Sequence, residues 1–427
     1  MKKTHNAESI NYPSNFILPP TSFVIAALLA PLCLTTPALA ANPQHVQRLL
    51  AAKVCPSCDL RGAQLKGANL KSANLTDAQL DGADLTGADL TGATLERAQM
   101  NGVKLGGAIL EKANMREAKL APANKVVADL NKANLKGANL YAANLTGAQM
   151  NGAQMNGANL ATANLQEATL AEANLAQASL RSAKLNMVKL SNANLTGAQL
   201  NNAQMETAKL DNANLSGADL SQANLNSANM NGAILSKAKL NATGMEAANL
   251  ENANLSGAEL MGAKLNSATL NRADLSNANL SNAELTYAKL AIATLTGAEL
   301  TGANLNAANL QNANAERANL SGVDLRQAQL PNANLSGASL VGATLGSANL
   351  ENAKLTGADL SYTNLNTADL RGADLSGANL SYANLNLADL DKANLADAKL
   401  TGANLTDAKI NGAIGLNRDS SAQKAAP

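Results

Sequence analysis

Cys55 and Cys58 stand in a Cys-Pro-Ser-Cys run, a spacing that suits a disulfide, a redox dithiol or half of a metal site. Zinc takes about four ligands, and His45 is the only other soft donor nearby, so metal binding is not expected. A catalytic dithiol belongs to a thioredoxin-like pattern of strand and helix, which does not surround these residues. In an oxidising compartment a local disulfide is the expectation, with inert thiols as the alternative. Elsewhere the catalytic inventory is thin. Of two His, one falls in the first few residues, and no Ser/His/Asp grouping or glycine-rich phosphate loop is visible. Carboxylates pair, as Asp81 with Asp84, but at positions that face solvent. The sequence predicts a non-enzymatic protein without cofactor or metal.

The elements that must position these residues repeat every five residues. From Leu60 to Ile410 every position divisible by five is a repeat centre, 71 in all, of which 61 are Leu and seven Met. Ile410 is conservative; Lys125 and Ala315 depart in kind. Of the 71 positions three after a centre, from 63 to 413, and so two before the next, 66 are Ala. Five residues turn 500° in an α-helix, which scatters the Leu around the cylinder, and alternate faces in a flat strand. The period makes sense only if the chain bends once per repeat, with the centre and its Ala pointing inward. Of 30 Gly, 26 lie two residues after a centre, where a type II turn requires positive φ.

Units such as Ala68-Asn69-Leu70-Lys71-Ser72 and Ala218-Asp219-Leu220-Ser221-Gln222 resemble the Ala-(Asp/Asn)-Leu-x-x motif of pentapeptide-repeat proteins. The resemblance implies an all-β fold: a right-handed quadrilateral parallel β-helix, a solenoid whose four sides make a coil of 20 residues. Seventy-one repeats then make about 17–18 coils and a rod of about 85 Å. Long exported forms with Cys-x-x-Cys before the first coil resemble those of cyanobacteria. The core contains no large aromatic, since both Phe precede the repeats.

Residues 1–40 read as a secretory signal peptide. Lys2 and Lys3 supply charge, Phe23 to Leu34 an apolar stretch broken by Pro31, and Ala38-Leu39-Ala40 a cleavage site. The domains follow: 1–40 signal, 41–57 capping helix and Cys-x-x-Cys start, 58–415 β-helix, 416–427 flexible tail. The expected location is periplasm or thylakoid lumen, with no stable membrane insertion after cleavage. The formal charge is +1, and 0 once Lys2, Lys3 and Glu8 are removed, so nothing draws the rod to nucleic acid.

An open coil edge invites pairing. At the start, Asn42-Pro43 followed by Gln44 to Lys53 predicts a short helix with Val46, Leu49 and Leu50 on its inner face. At the end the centre fails at Gly415, leaving Ile414 and Leu416 as a loose cover and end-to-end self-association as an expectation. Inside the rod, Pro122, Lys125, Val126 and Val127 break the pattern; a bulge with Lys125 turned outward is expected, because a lone Lys is costly to bury. Ala315 leaves a Leu-sized gap. Tyr362 and Tyr382, one coil apart at corners, form a candidate contact patch beside the more isolated corner residues Tyr141 and Tyr287. A strict 20-residue coil stacks Asn74, Thr94, Asn114, Asn134 and Gln154 on one face, and Asp59, Gln79, Gln99, Lys119 and Asn139 on another. These features predict a structural or interaction scaffold with an unknown protein partner. The alternative is a DNA-mimicking gyrase-binding protein, an activity known for some family members, which are acidic.

Overall fold

The computed structural model describes residues 41–122 and 126–416. The signal peptide read over 1–40, Lys125 and the tail from 417 lie outside the described residues. The described chain begins with helix α1, Pro43–Ala52. The Asn42 side chain accepts the Gln44 N–H at 2.9 Å, and Pro43 occupies a first-turn position that has no partner to lose. Lys53 adopts left-handed φ of 55° and donates its N–H to Leu49 O, which ends the helix. Leu49 is buried and Val46 partly so, but Leu50 points outward at 50% exposure, unlike the inner face read from the sequence. Leu49 lies 60° to one side of Val46 and Leu50 40° to the other, so the two Leu are 100° apart and the coil takes the Leu49 side.

After α1 each repeat contributes one parallel bridge residue, and no continuous strand forms among the described residues. Val54, Asp59, Gln64 and Asn69 bridge Asn74, Gln79, Asp84 and Asp89 in turn, so four bridge positions make a coil. The backbone donors are accounted for around the repeat. The centre donates to the next coil (Leu60 N–H to Gln79 O, 2.7 Å), and the bridge residue donates to the previous one (Gln79 N–H to Cys58 O, 2.8 Å). The Ala closes the corner (Ala63 N–H to Leu60 O, 3.0 Å), and the second corner residue donates upward (Gly62 N–H to Asp81 O, 2.9 Å). One donor remains, at the first corner residue. The Asn or Asp before the centre accepts it, as Asp84 Oδ1 does from Thr86 N–H at 3.0 Å. After Gln99, Gln149 and Gln204 an Asn or Asp one coil back takes over, as Asp81 Oδ1 does for Asn101 N–H at 2.8 Å. This is why Asn and Asp dominate that position: each satisfies a backbone group that the corner would otherwise leave unpaired.

Centres and small residues form one continuous core, with the described centres from Leu60 to Leu395 at most 3% exposed. Burying each Leu contributes roughly 1.5–3 kcal/mol, so many modest layers replace large aromatics. The corners adopt positive φ whether or not they hold Gly: Gly62 has φ 67°, Tyr287 59°, and the β-branched Ile292 61°.

One coil differs. Asn114 bridges Asn139, and the side-chain bond joining them spans 25 residues where regular coils span 20. Lys104, Ile109 and Lys119 likewise bridge Asp129, Asn134 and Asn144, and regular spacing returns with Asp129 and Gln149. Seven residues, 121–127, stand between the buried Leu120 and Ala128 where two normally suffice. The strict 20-residue stacking expected from the sequence is therefore wrong across this coil. Asn114 stacks on Asn139, not Asn134, and Lys119 on Asn144, not Asn139.

Candidate functional site

Four places concentrate the irregular residues, and the fold holds them apart. At the first coil, Cys55 and Cys58 form a disulfide with Cα atoms 5.3 Å apart. Both are buried, Cys58 standing where later repeats carry Ala. The helix is tied to the same coil by two bonds: Asn42 N–H to Asp59 O at 3.2 Å, and Asp59 N–H to His45 Nδ1 at 3.0 Å. The sequence reading weighed His45 only as a metal ligand and missed this role. Its signal was the distance along the chain, since the helix brings His45 back over the first repeat. Asp59 also receives Arg61 through two side-chain bonds of 2.8 and 2.7 Å, which hold its carboxyl down at about 2. The same Asp-x-Arg fork recurs at Asp324 with Arg326 and at Asp369 with Arg371, lowering both carboxyls.

The second place is the long corner. Val126 lies 3.3 Å from where a Cβ on Gly102 would stand, and Pro122 3.3 Å from the same point on Gly147. Those glycines leave room for the segment to lie against the coils on either side. Val126 is exposed and Val127 half-buried. Nearby, Asp77, Arg97, Glu117, Lys119 and Ala142 border a shallow depression of about 440 Å³. Arg97 bonds Asp77 at 2.9 Å and Glu96 at 2.8 Å, so opposite charges there answer one another.

Third, Ala315 is buried beside an enclosed apolar cavity of about 10 Å³ lined by Leu295, Leu300, Leu310, Leu320 and Leu335. That is about the space of one water, smaller than the Leu-sized gap expected because the surrounding Leu close in, and it has no polar group to hold a water. Fourth, the Tyr362 and Tyr382 rings stack with centroids 5.1 Å apart and planes 11° apart. Both stand out from the corner, 64% and 56% exposed. The ring of Tyr382 covers Gly402, 2.7 Å from where a Cβ would stand. Tyr141 instead lies under Arg116, whose guanidinium carbon is 5.3 Å from the ring centre.

Among the described residues no group of three His, Cys, Asp or Glu is placed to hold a metal ion. No helix among them is long and apolar enough to cross a membrane.

The pentapeptide-repeat family model matches this chain in segments from 58–97 and 128–161 through to 368–407, more than half its length. The chain belongs to the pentapeptide-repeat family. Its coil is accordingly a right-handed β-helix, and no enzyme family is indicated. The matched segments pass over 98–127, which includes the long corner. No curated protein matches the chain. Among solved structures it is similar to HetL, a pentapeptide-repeat protein involved in heterocyst differentiation regulation in the cyanobacterium Nostoc sp. strain PCC 7120. That likeness has 40% identity over 45% of this chain and 88% of HetL, with a TM-score of 0.36. A pentapeptide-repeat protein from the Arabidopsis thaliana thylakoid lumen shares 36% identity over 25% of this chain and 66% of its own, with a TM-score of 0.13. QnrB1, a plasmid-mediated fluoroquinolone resistance protein, shares 18% over 43% and 84%, with a TM-score of 0.21.

Proposed function

We propose that this pentapeptide-repeat protein is an exported, non-enzymatic scaffold, a quadrilateral rod capped at its N-terminal end by α1, that presents its faces to a protein partner in periplasm or thylakoid lumen. The observation that carries the reading is the division of labour in each repeat. Backbone donors, inward side chains and the bridge Asn and Asp that accept a corner N–H are consumed by the coil, while most corner side chains bond nothing inside it and face outward. The amide pairs on those faces, such as Asn159 Nδ2 to Asn139 Oδ1 at 3.1 Å, hold them flat and regular. The exposed Tyr362 and Tyr382 corner is the preferred contact, because exposed aromatics bury much area at little entropic cost. The partly exposed Leu400, Leu405 and Ile410 make the last coil the place for end-to-end self-association.

Photo-crosslinking in the producing cell tests the reading, with the crosslinker placed at Tyr382 or at Tyr287 on another corner. Recovery in the exported fraction of a chain beginning near Ala41, with a partner adduct from Tyr382 and not Tyr287, is the expected result. A chain that keeps residues 1–40 and stays in the cytosol overturns export. Adducts formed equally from both positions overturn the assigned contact. Inhibition of gyrase supercoiling by the purified chain favours the gyrase-binding alternative instead.

A further inference from the structure

Tyr362 and Tyr382 are placed to react with each other. Two phenol rings stacked at 5.1 Å and 11° are both open to solvent, and their backbones are fixed one coil apart, about 4.8 Å. Neither ring is wedged into the core, so each can swing about its side-chain torsions while its anchor stays put. We propose that this pair is an oxidative modification site, at which a one-electron oxidant of the peroxidase and hydrogen peroxide class joins the two rings in an intrachain dityrosine bridge.

The chemistry balances. Each phenol gives up one electron and its hydroxyl proton, leaving a neutral radical with spin on the carbons ortho to oxygen. The two radicals form one carbon–carbon bond between ortho carbons. The ring hydrogens at those carbons then move to the oxygens and restore both phenols. In sum two hydrogens leave the protein, and one hydrogen peroxide becomes two waters. Holding the partners side by side makes coupling unimolecular, which is the whole advantage of the pair over a lone tyrosine.

The rest of the molecule supplies the controls. Tyr287 is as exposed, at 63%, but the corners one coil to either side hold Ser267 and Ala307. Tyr141 lies beneath the Arg116 guanidinium, a cation that opposes removal of an electron from the ring. Each of these must meet a second molecule to couple.

The purified chain is treated with horseradish peroxidase and hydrogen peroxide, and the products are followed by dityrosine fluorescence and peptide mass mapping. The expected product is a monomer lighter by two hydrogens, with one bridge between the peptides holding Tyr362 and Tyr382. Its yield stays constant on dilution, whereas coupling between molecules falls about tenfold for tenfold dilution. Tyr362→Phe and Tyr382→Phe each abolish it, and Tyr287→Phe leaves it intact; the circular dichroism of all three matches the parent, since these are exposed corners. A bridge found only in dimers, oxidised monomer with no link between residues 362 and 382, or a monomeric bridge that survives Tyr382→Phe each overturns the proposal.

Discussion

At one end of the rod α1 lies against the first coil, with Leu49 buried, His45 and Asn42 bonded to Asp59, and the Cys55–Cys58 disulfide beneath it. At the other end Leu400, Leu405 and Ile410 are only partly buried, although Leu380, Leu385 and Leu390, one coil earlier, are fully buried. Ile414 bridges Asn394 yet stands 56% exposed, so it belongs to the last coil and covers nothing; Leu416 packs partly against the core. The comparison shows what a solenoid can and cannot do for itself. Every interior coil is sheltered by its two neighbours, whereas each end needs something from outside the repeat. At the N-terminal end α1, a segment that does not follow the five-residue rule, packs Leu49 and Val46 against the core.

The sharpest way to break this asymmetry is Leu49→Ala. Loss of a fully buried Leu costs about 2–5 kcal/mol, against less than about 1 kcal/mol for Leu405→Ala at the exposed end. Amide hydrogen exchange should show Leu60 and Leu65 losing protection in the first variant, and only the last coil changing in the second. Equal effects at both ends would remove the distinction. Next comes the disulfide. Cys55→Ala with Cys58→Ala keeps an inward Ala at 58 and should cost about 2 kcal/mol, the loop closed being short. The loss should appear in exchange at the first coil and leave the last coil unchanged.

A third test works between the ends. Ala315→Leu restores the residue common at other centres, but its three added carbons exceed a space of about one water, so the gain should stay below about 1 kcal/mol. Because coils support only their neighbours, protection should rise around Leu300 to Leu330 and not at either end. The smallest effect concerns pH. The Asp59 carboxyl is held at about 2 by Arg61, below the ordinary value of about 3.9. Its contribution is therefore fully present above pH about 4 and is lost as pH falls through about 2. Exchange at the first coil should quicken over that window in the parent and not in Asp59→Asn.

How much of this was legible depends on which period is being read. The inward pair was plain, because a five-residue spacing of Leu and Ala has one reasonable geometry, and Cys58 could be placed inside by counting alone. The corners were plain at Gly, yet positive φ also falls on Ser72, Tyr287 and Ile292, where no residue type announces it. The Asn and Asp before each centre were read as outward ladders, which captures half their role. Their bond to the next corner N–H is local and needs the turn geometry to be seen. The stacking order was misread across residues 121–127 because that segment keeps the five-residue spacing while leaving the coil. Lys125 at a centre, Pro122 at one corner and Val126 and Val127 at the next signalled the departure, and none of them says which residues the coil omits. Helix α1 was legible in place, but Val46, Leu49 and Leu50 fall within one 100° arc, and only the docked coil shows that the Leu49 edge is the inner one.

The long corner between Leu120 and Ala128 has a consequence for the surface of the whole rod. Counted in fives the sequence never loses step; counted in twenties it runs as two blocks out of phase by a quarter turn. The slip acts like a dislocation in a crystal, local in its core and felt everywhere beyond it. A partner that reads a stripe of side chains along one side meets positions such as 74, 94 and 114, then 139, 159 and 179. Removing five residues from this corner would leave every column intact, whereas removing any other repeat would rotate all that follows onto the neighbouring face.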